Sequence, residues 1–323
     1  MNAIRLAVSR ISAETPQIRS FELTPAEGGA LPPFEPGAHV RVSLPDGGDR
    51  AYSLMRFEPA GAEGAKDGPT AYRIAVRLEE ESAGGSRFMH GLAEGAALEI
   101  APPKNDFPLA AGAAPVVLFA GGIGITPITG MVAELAGRDR DFVLHYAGRS
   151  RGLLAFVDEL RALAGDRLIE HYDDEPETAL DLAKVLAAVT IDAHVHVCGP
   201  RGMIEAVKAA ARGRGFADDH VHFELFTNQA AATAGDAFEI ELASTGEVLP
   251  VPAGKSIIEV LEEAGHDVLY DCQRGDCGIC QTEVISGTPD HRDVVLSDDE
   301  KASGKVMQIC VSRSKSPRLV LDL

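Results

Sequence analysis

The chain has 323 residues, 45% hydrophobic and 24% charged, with 33 glycines and 19 prolines, a soluble globular profile rather than a disordered one. That length predicts two or three domains of about 100–150 residues. A formal charge of −19 repels phosphate and excludes nucleic acid as a partner class. No apolar run reaches the roughly 18 residues of a membrane helix, and the opening "MNAIRLAVSRISAETPQIR" alternates apolar with polar residues instead of showing a signal-peptide block. A cytoplasmic protein with no membrane contact is therefore expected, where clustered cysteines serve as metal ligands or catalysts rather than disulfides.

Residues 1–108 carry short period-two segments, "IRLAVSRI", "IRSFEL", "HVRVSL", "RAYSL", "YRIAVRL" and "ALEIAPP", split by turn clusters such as "PDGGD" and "PAGAEGAKDG". This pattern predicts an antiparallel sheet closed into a small barrel. Over 109–228, apolar runs ("VVLFAGG", "FVLHYAG", "LIEHYD", "HVHVCG") alternate with helical patterns ("ITGMVAELAG", "LAFVDELRALAG", "MIEAVKAAARG"), the signature of a parallel sheet covered by helices. Residues 229–236 are small, polar and aperiodic, and read as a linker. The last part, 237–323, mixes strands with one helix at "SIIEVLEEAG".

Several stretches carry chemistry. In "DRAYSLM", Arg50 offers a fork for phosphate, Tyr52 a flat ring and Ser53 a hydroxyl at a strand end. In "EESAGGSRFMH", Gly84, Gly85 and Ser86 precede a short helix whose N–H groups suit an anion. In "FAGGIGITPITGMVAEL", a strand turns through Gly121, Gly122 and Gly124 into a helix able to receive a pyrophosphate, though such a turn also serves packing alone. The next strand ends in Arg149 and Ser150, where the ordinary dinucleotide fingerprint expects an acid for the ribose. His194 and His196, like His220 and His222, alternate along strands and read as packing positions. Finally, Cys272, Cys277 and Cys280 form C-x4-C-x2-C, and Cys310 completes a set of four. A lone fourth cysteine fits paired zinc knuckles poorly and the plant-type [2Fe–2S] arrangement directly; Gly275 and Gly278 let backbone N–H groups turn toward the sulfurs.

"RAYS", "GGS", "GGIGITP", "CGPRGM" and C-x4-C-x2-C…C follow one another in the order of the phthalate dioxygenase reductase family, which the chain resembles over essentially its whole length. The resemblance implies a flavin-binding barrel, a parallel α/β domain of ferredoxin-reductase type for NAD, and a C-terminal β-grasp ferredoxin of plant type. It assigns Arg50, Ala51, Tyr52 and Ser53 to the FMN ring and phosphate, and Gly84, Gly85 and Ser86 to its phosphate. Gly121, Gly122, Gly124, Thr126, Arg149, Ser150, Cys198 and Gly199 fall to the pyridine nucleotide, with Cys198 near the nicotinamide. Ser53, Thr126 and Cys198 become the positioning groups for hydride transfer. Glu224 and Phe226 in "HFELF" either approach the flavin or simply fill a core strand. Arg149 without an acid favours a 2′-phosphate, whereas the family favours NADH, and NADH is the expectation.

The implied activity is an oxidoreductase relay: NADH reduces FMN, and single electrons pass through the cluster to a separate Rieske-type oxygenase acting on an aromatic or similar small substrate. A stand-alone NAD(P)H-dependent electron donor is the alternative. The chain carries no Rieske or mononuclear iron ligand set of its own, so oxygen activation belongs to another subunit. The C-terminal part holds about twice as many acids as bases, including "SDDE" at 297–300, and its acidic surface suits a basic patch on such a partner. By itself the chain is expected to be monomeric.

Overall fold

The protein is described by a computed structural model covering residues 3–45, 47–59, 68–79, 84–226 and 233–323. Most of the "PAGAEGAKDG" turn, residues 80–83 of "EESAGGSRFMH" and residues 229–232 of the expected linker lie outside the described residues. The chain divides into two compact units, Met1–Glu224 and Leu225–Leu323.

In the first unit, β1 (Ile4–Ala13), β2 (Ile18–Pro25), β3 (His39–Ser43), β4 (Asp49–Ser53), β5 (Tyr72–Arg77) and β6 (Ala97–Ile100) form an antiparallel sheet in the spatial order β4-β3-β6-β1-β2-β5. Its two edges meet where the Met55 N–H donates to the Arg73 carbonyl at 2.8 Å, which closes the predicted barrel. The alternating pattern points Leu6, Val8, Phe21, Leu23, Val40, Val42 and Ile74 inward, all essentially without exposure. Each such burial contributes roughly 1.5–3 kcal/mol. A short helix, α1 (Gly85–His90), follows β5.

The parallel half comprises β7 (Val116–Gly121), α2 (Ile125–Gly137), β8 (Phe142–Gly148), α3 (Val157–Ala164), β9 (Leu168–Tyr172), α4 (Leu182–Ala187), β10 (His194–Cys198), α5 (Arg201–Arg214) and β11 (Val221–Glu224), with strand order β11-β10-β7-β8-β9. The chain winds outward through β8 and β9, then returns past β7 to β10, so the direction of winding reverses between β7 and β10. Open parallel sheets bind ligands at the carboxyl ends of strands at such a point. Helix α2 is buried from Ile125 through Leu135. Barrel residues Ile18, Met55, Ala75 and Phe107 share one apolar core with Leu118, Ile125 and Ile128, which is why barrel and sheet form a single unit.

Register turns the alternating histidines into a stack: His196 lies opposite His222, with ring centroids 4.4 Å apart, and His194 Nδ1 is 3.0 Å from His222 Nε2. Across β8 and β9, His145 Nδ1 is 2.9 Å from His171 Nε2. Burial, then the neighbouring imidazole, pushes His145 and His222 down to about 4, and the same causes lower His196. The fold favours neutral rings while unfolded histidines titrate near 6.5, so between about pH 6.5 and 4 the unfolded chain binds more protons and stability falls as pH falls. Discounted for their partial exposure, His145 and His222 together account for on the order of 3 kcal/mol across that window. Urea midpoints measured from pH 8 to pH 5 are expected to drop below pH 6.5, with a shallower slope in His222→Gln.

The second unit contains β12 (Phe238–Leu242), β13 (Val248–Val251), α6 (Ile257–Glu263), β14 (Gln281–Ser286), β15 (Pro289–Asp290), α7 (Asp298–Ser303), β16 (Val306–Gln308), β17 (Arg313–Ser314) and β18 (Arg318–Leu321). Its main sheet, in the order β13-β12-β18-β14-β16, is mixed: β12 and β18 run parallel and the other pairs antiparallel. Helix α6 buries Ile257, Ile258, Val260 and Leu261 and starts at a capping box between Ser256 and Glu259. "SDDE" proves to be a second capping box, since Ser297 Oγ accepts the Glu300 N–H and the Glu300 carboxylate accepts the Ser297 N–H. Glu300 therefore belongs first to the start of α7, although it is exposed, as are Asp298 and Asp299. Among the described residues, no helix is long and apolar enough to cross a membrane.

Candidate functional site

The barrel brings "RAYS" and "GGS" together. Gly84 has φ 97°, a conformation that favours glycine, and a Cβ on Gly85 would stand 2.6 Å from Arg50 Cγ and 3.2 Å from the Tyr52 hydroxyl. The backbone entering α1 thus lies directly on the two side chains that sequence reasoning assigned to a flat, phosphate-bearing group. Ser86 Oγ accepts the Glu79 N–H at 3.1 Å and fixes α1 to the end of β5. Burial pushes the Tyr52 hydroxyl up to about 12 against the opposing pull of the Arg50 charge, so the ring stays neutral. Ala51 lies between them on β4, and Ser53 is buried at the strand's end.

At the carboxyl edge of the parallel sheet, the turns after β7 and β10 meet backbone to backbone. A Cβ on Gly124 would sit 2.2 Å from the Cys198 carbonyl oxygen, and Gly121 and Gly199 approach so closely that a Cβ on Gly199 would be 3.1 Å from Gly121 Cα. Gly122 adopts φ 54° to turn the chain. Thr126 is buried, and its hydroxyl donates to the Ile123 carbonyl at 3.0 Å, which braces the turn. Cys198, fully buried, pairs in register with Ala120 on one side and Glu224 on the other. The Gly122–Gly124 turn also packs against β5, which joins this edge to the barrel.

Arg149 is exposed at the end of β8, with Ser150 beside it. Two acids from the next strand lie alongside in the chain's path: the Asp174 N–H donates to the Arg149 carbonyl at 3.2 Å, and Asp173 follows Tyr172 at the end of β9. Beyond them, Arg151 is held by Glu175 in two 2.6 Å contacts and lies over the Tyr172 ring at 4.3 Å. Sequence reasoning missed this group, because the acids belong to a strand more than twenty residues further on. Phe226 belongs to the second unit and is 39% exposed, so it is not a core-strand residue. Glu224, at the end of β11, is buried.

In the second unit, β14 pairs with β16 so that Gln281 faces Gln308, and the Ile309 N–H donates to the Cys280 carbonyl at 3.4 Å. This register carries Cys310 to the Cys272–Cys280 loop. The Cys310 thiol donates toward Cys272 and Cys280 and is itself held high for that reason. Cys272 is lowered to about 3, first by the Cys310 thiol and then by donors from Asp276 and the N–H groups of Arg274 and Asp276, over the opposing effect of burial. Cys277 interacts with Cys272 and is the one exposed cysteine of the four. Gly275 (φ 78°) and Gly278 (φ 80°) hold the loop, and a Cβ on Gly275 would strike Val311 Cγ2 at 2.6 Å.

Four thiols joined in one network, with backbone N–H groups aimed at sulfur and glycines where a side chain would collide, fit a sulfur-ligated cluster. None of the five cysteines is in a disulfide. Among the described residues, no three His, Cys, Asp or Glu side chains converge on a single metal-ion position. A two-iron cluster needs its ligands spread over a wider cage than one ion does.

Fold and site define an NAD-linked iron–sulfur oxidoreductase. Residues 118–209 match the oxidoreductase NAD-binding domain, and residues 240–315 match the 2Fe-2S iron-sulfur cluster binding domain. The chain is 44% identical over 322 residues to vanillate O-demethylase oxidoreductase of Pseudomonas putida, covering 98% of this chain and 99% of that one. It is 43% identical over 332 residues to tetrachlorobenzoquinone reductase of Sphingobium chlorophenolicum, covering 100% and 99%. A solved structure titled phthalate dioxygenase reductase, a modular structure for electron transfer from pyridine nucleotides to [2Fe-2S], matches with a TM-score of 0.74 and 37% identity over 100% of this chain and 98% of that one. The chain belongs to the phthalate dioxygenase reductase family, with an NAD-binding domain and a [2Fe–2S] cluster binding domain.

Proposed function

We propose that this protein is the NADH-dependent reductase component of an oxygenase system, a cytoplasmic monomer that delivers electrons to a separate Rieske-type oxygenase. The observation that carries the reading is the joining of three cofactor sites in one chain, together with full-length similarity to a vanillate O-demethylase oxidoreductase. When bound, FMN takes two electrons from NADH and releases them singly to the cluster.

The chain's own residues position and shield. Arg50 and Ser86 hold the flavin phosphate, and Tyr52 with Ala51 and Ser53 lines the ring. Gly121, Gly122, Gly124 and Gly199 keep the backbone low enough for the pyridine nucleotide to approach. Ser53, Thr126 and Cys198, all buried, fix the geometry of transfer, where orientation supplies most of the catalysis. Arg149 and Ser150 contact the adenosine end, and Asp173 and Asp174 disfavour a 2′-phosphate there, in agreement with NADH. Cys272, Cys277, Cys280 and Cys310 ligate the cluster. Cys277 is the exposed one of the four and Leu269 and Ile279 are exposed apolar residues of the same stretch of chain, so a bound cluster would be shielded least on this side; the acids of the second unit steer a basic partner.

The test is NADH-driven turnover of an aromatic substrate that appears only when a Rieske oxygenase is added, with a rate that falls as ionic strength rises. A second reading has one observation in its favour, the similarity to tetrachlorobenzoquinone reductase: direct reduction of a quinone by this chain alone would make it a stand-alone reductase.

The flavin site makes a further prediction. Gly85→Val places methyl groups where Arg50 and Tyr52 now lie, and flavin affinity is expected to fall at least about tenfold, roughly 1.4 kcal/mol. Fluorescence titration of released FMN reads this directly, and an unchanged affinity would remove α1 from the flavin site.

A further inference from the structure

A cavity of about 420 Å³ opens between the barrel loop at Phe34–Pro36 and the far end of α2, within the first unit. Its wall includes the segment before β7 (Leu109–Gly112) and Arg138 and Arg140, which precede β8. It therefore lies at the amino edge of the parallel strands, opposite the carboxyl edge that carries the nucleotide turns. Helix α2 separates the two, a span of about 20 Å for its 13 residues.

The charges around the cavity do not balance. Arg56, Arg138 and Arg140 face two acids, Glu35 and Glu134. Glu134 is fully engaged, with one oxygen 2.5 Å from Arg56 and the other 2.5 Å from Arg138. Arg140 has no carboxylate among the described residues; it donates to the carbonyls of Ala110 at 2.6 Å and Ala114 at 2.8 Å. Nη2 of Arg140 and Nε of Arg56 are buried without hydrogen-bond partners. A positive wall of this kind is out of character in a chain of net charge −19. The rest of the lining is apolar, with Phe34, Pro36, Leu109 and Leu135.

We infer that this cavity is a second ligand site, for a small organic carboxylate whose apolar body lies on Phe34 and Leu109 while its anionic end meets Arg140. The volume falls in the range of small-molecule sites, which pair an apolar lining with few charged groups. A carboxylate oxygen would take the one unpartnered nitrogen of Arg140, Nη2, whereas a bare phosphate leaves the apolar half uncovered. The site is built rather than incidental. The Ala110 N–H donates to His196 Nε2 at 3.2 Å, Asn105 donates to the Pro36 carbonyl at 2.9 Å, and α2 meets Pro36 at Gly130, where an added Cβ would be 3.4 Å away.

The test is calorimetric titration of the holoprotein with benzoate, benzyl alcohol and inorganic phosphate. Saturable benzoate binding is expected, with benzyl alcohol and phosphate each at least about tenfold weaker. Ala111→Trp, which narrows the rim and leaves every charge in place, and Arg140→Lys, which keeps the charge and removes Nη2, are each expected to weaken benzoate by a similar factor. NADH–ferricyanide activity without benzoate should be unchanged in Ala111→Trp. No saturable benzoate binding up to about 10 mM, equal affinity for benzyl alcohol or phosphate, or binding untouched by both variants would overturn the assignment.

Discussion

Cys310→Ala is expected to abolish cluster assembly while leaving NADH reduction of the flavin within about twofold of the parent, and to lower cytochrome c reduction by on the order of 100-fold. The asymmetry follows from the architecture. Cys310 lies in the second compact unit, and the flavin and nucleotide groups lie in the first. Cys310 reaches the loop only through the Gln281–Gln308 register and sits buried between Ile309 and Val311 in that unit's core. Alanine keeps the packing and removes the sulfur, so the fold survives and the fourth iron bond does not form. Iron content, the visible spectrum, and the ratio of ferricyanide to cytochrome c activity read the three consequences separately. Full iron content in the variant would contradict the ligand assignment. Loss of both activities together would mean that the two units do not fold independently.

How far the sequence reveals such features depends on how local they are. The C-x4-C-x2-C loop is set by spacings of a few residues and is legible from the letters, as is the helix at "SIIEVLEEAG". Cys310 was legible because so few residue types can complete that ligand set. The contact of Gly85 with Arg50 and Tyr52 depends on barrel closure at Met55 and Arg73, which no local pattern announces. The histidines show their alternation in sequence, but only the pairing of β10 with β11 makes them a stack. The acids at Asp173 and Asp174 stay hidden for a related reason. Their nearness to Arg149 comes from the pairing of β8 with β9, not from spacing along the chain. "SDDE" was read as a charged surface because charge is visible in any alphabet, whereas the reciprocal Ser297–Glu300 bonds require the helix that they start. For the glycine contact and the histidine stack the information is present, but it resides in strand pairing and not in neighbourhood along the chain.

The same distinction gives a graded prediction for the nucleotide turn. Gly124→Ala is expected to slow reduction of bound flavin by NADH by on the order of 100-fold, about 2.7 kcal/mol in the barrier, with FMN and iron content retained. An added Cβ would lie 2.2 Å from the Cys198 oxygen, 2.5 Å from its carbonyl carbon and 2.7 Å from the Gly199 nitrogen. All three are backbone atoms, so no side-chain rotation relieves the collision and the turns after β7 and β10 must move apart. Those turns hold Thr126 and Cys198, and a displacement approaching 1 Å is enough to spoil transfer geometry. Gly121→Ala meets Met203 Sδ and Pro200 Cδ at 2.7 Å; the methionine is able to swing aside, and a smaller loss follows. Gly122→Ala meets nothing within 4 Å and bears only the strain of φ 54°, which alanine tolerates at a cost of about 1 kcal/mol. Stopped-flow reduction of the three variants should therefore rank Gly124 as most damaging, Gly121 next and Gly122 least. If Gly122→Ala proved the slowest, direct contact between that turn and the nucleotide, rather than the spacing of β7 from β10, would set the rate.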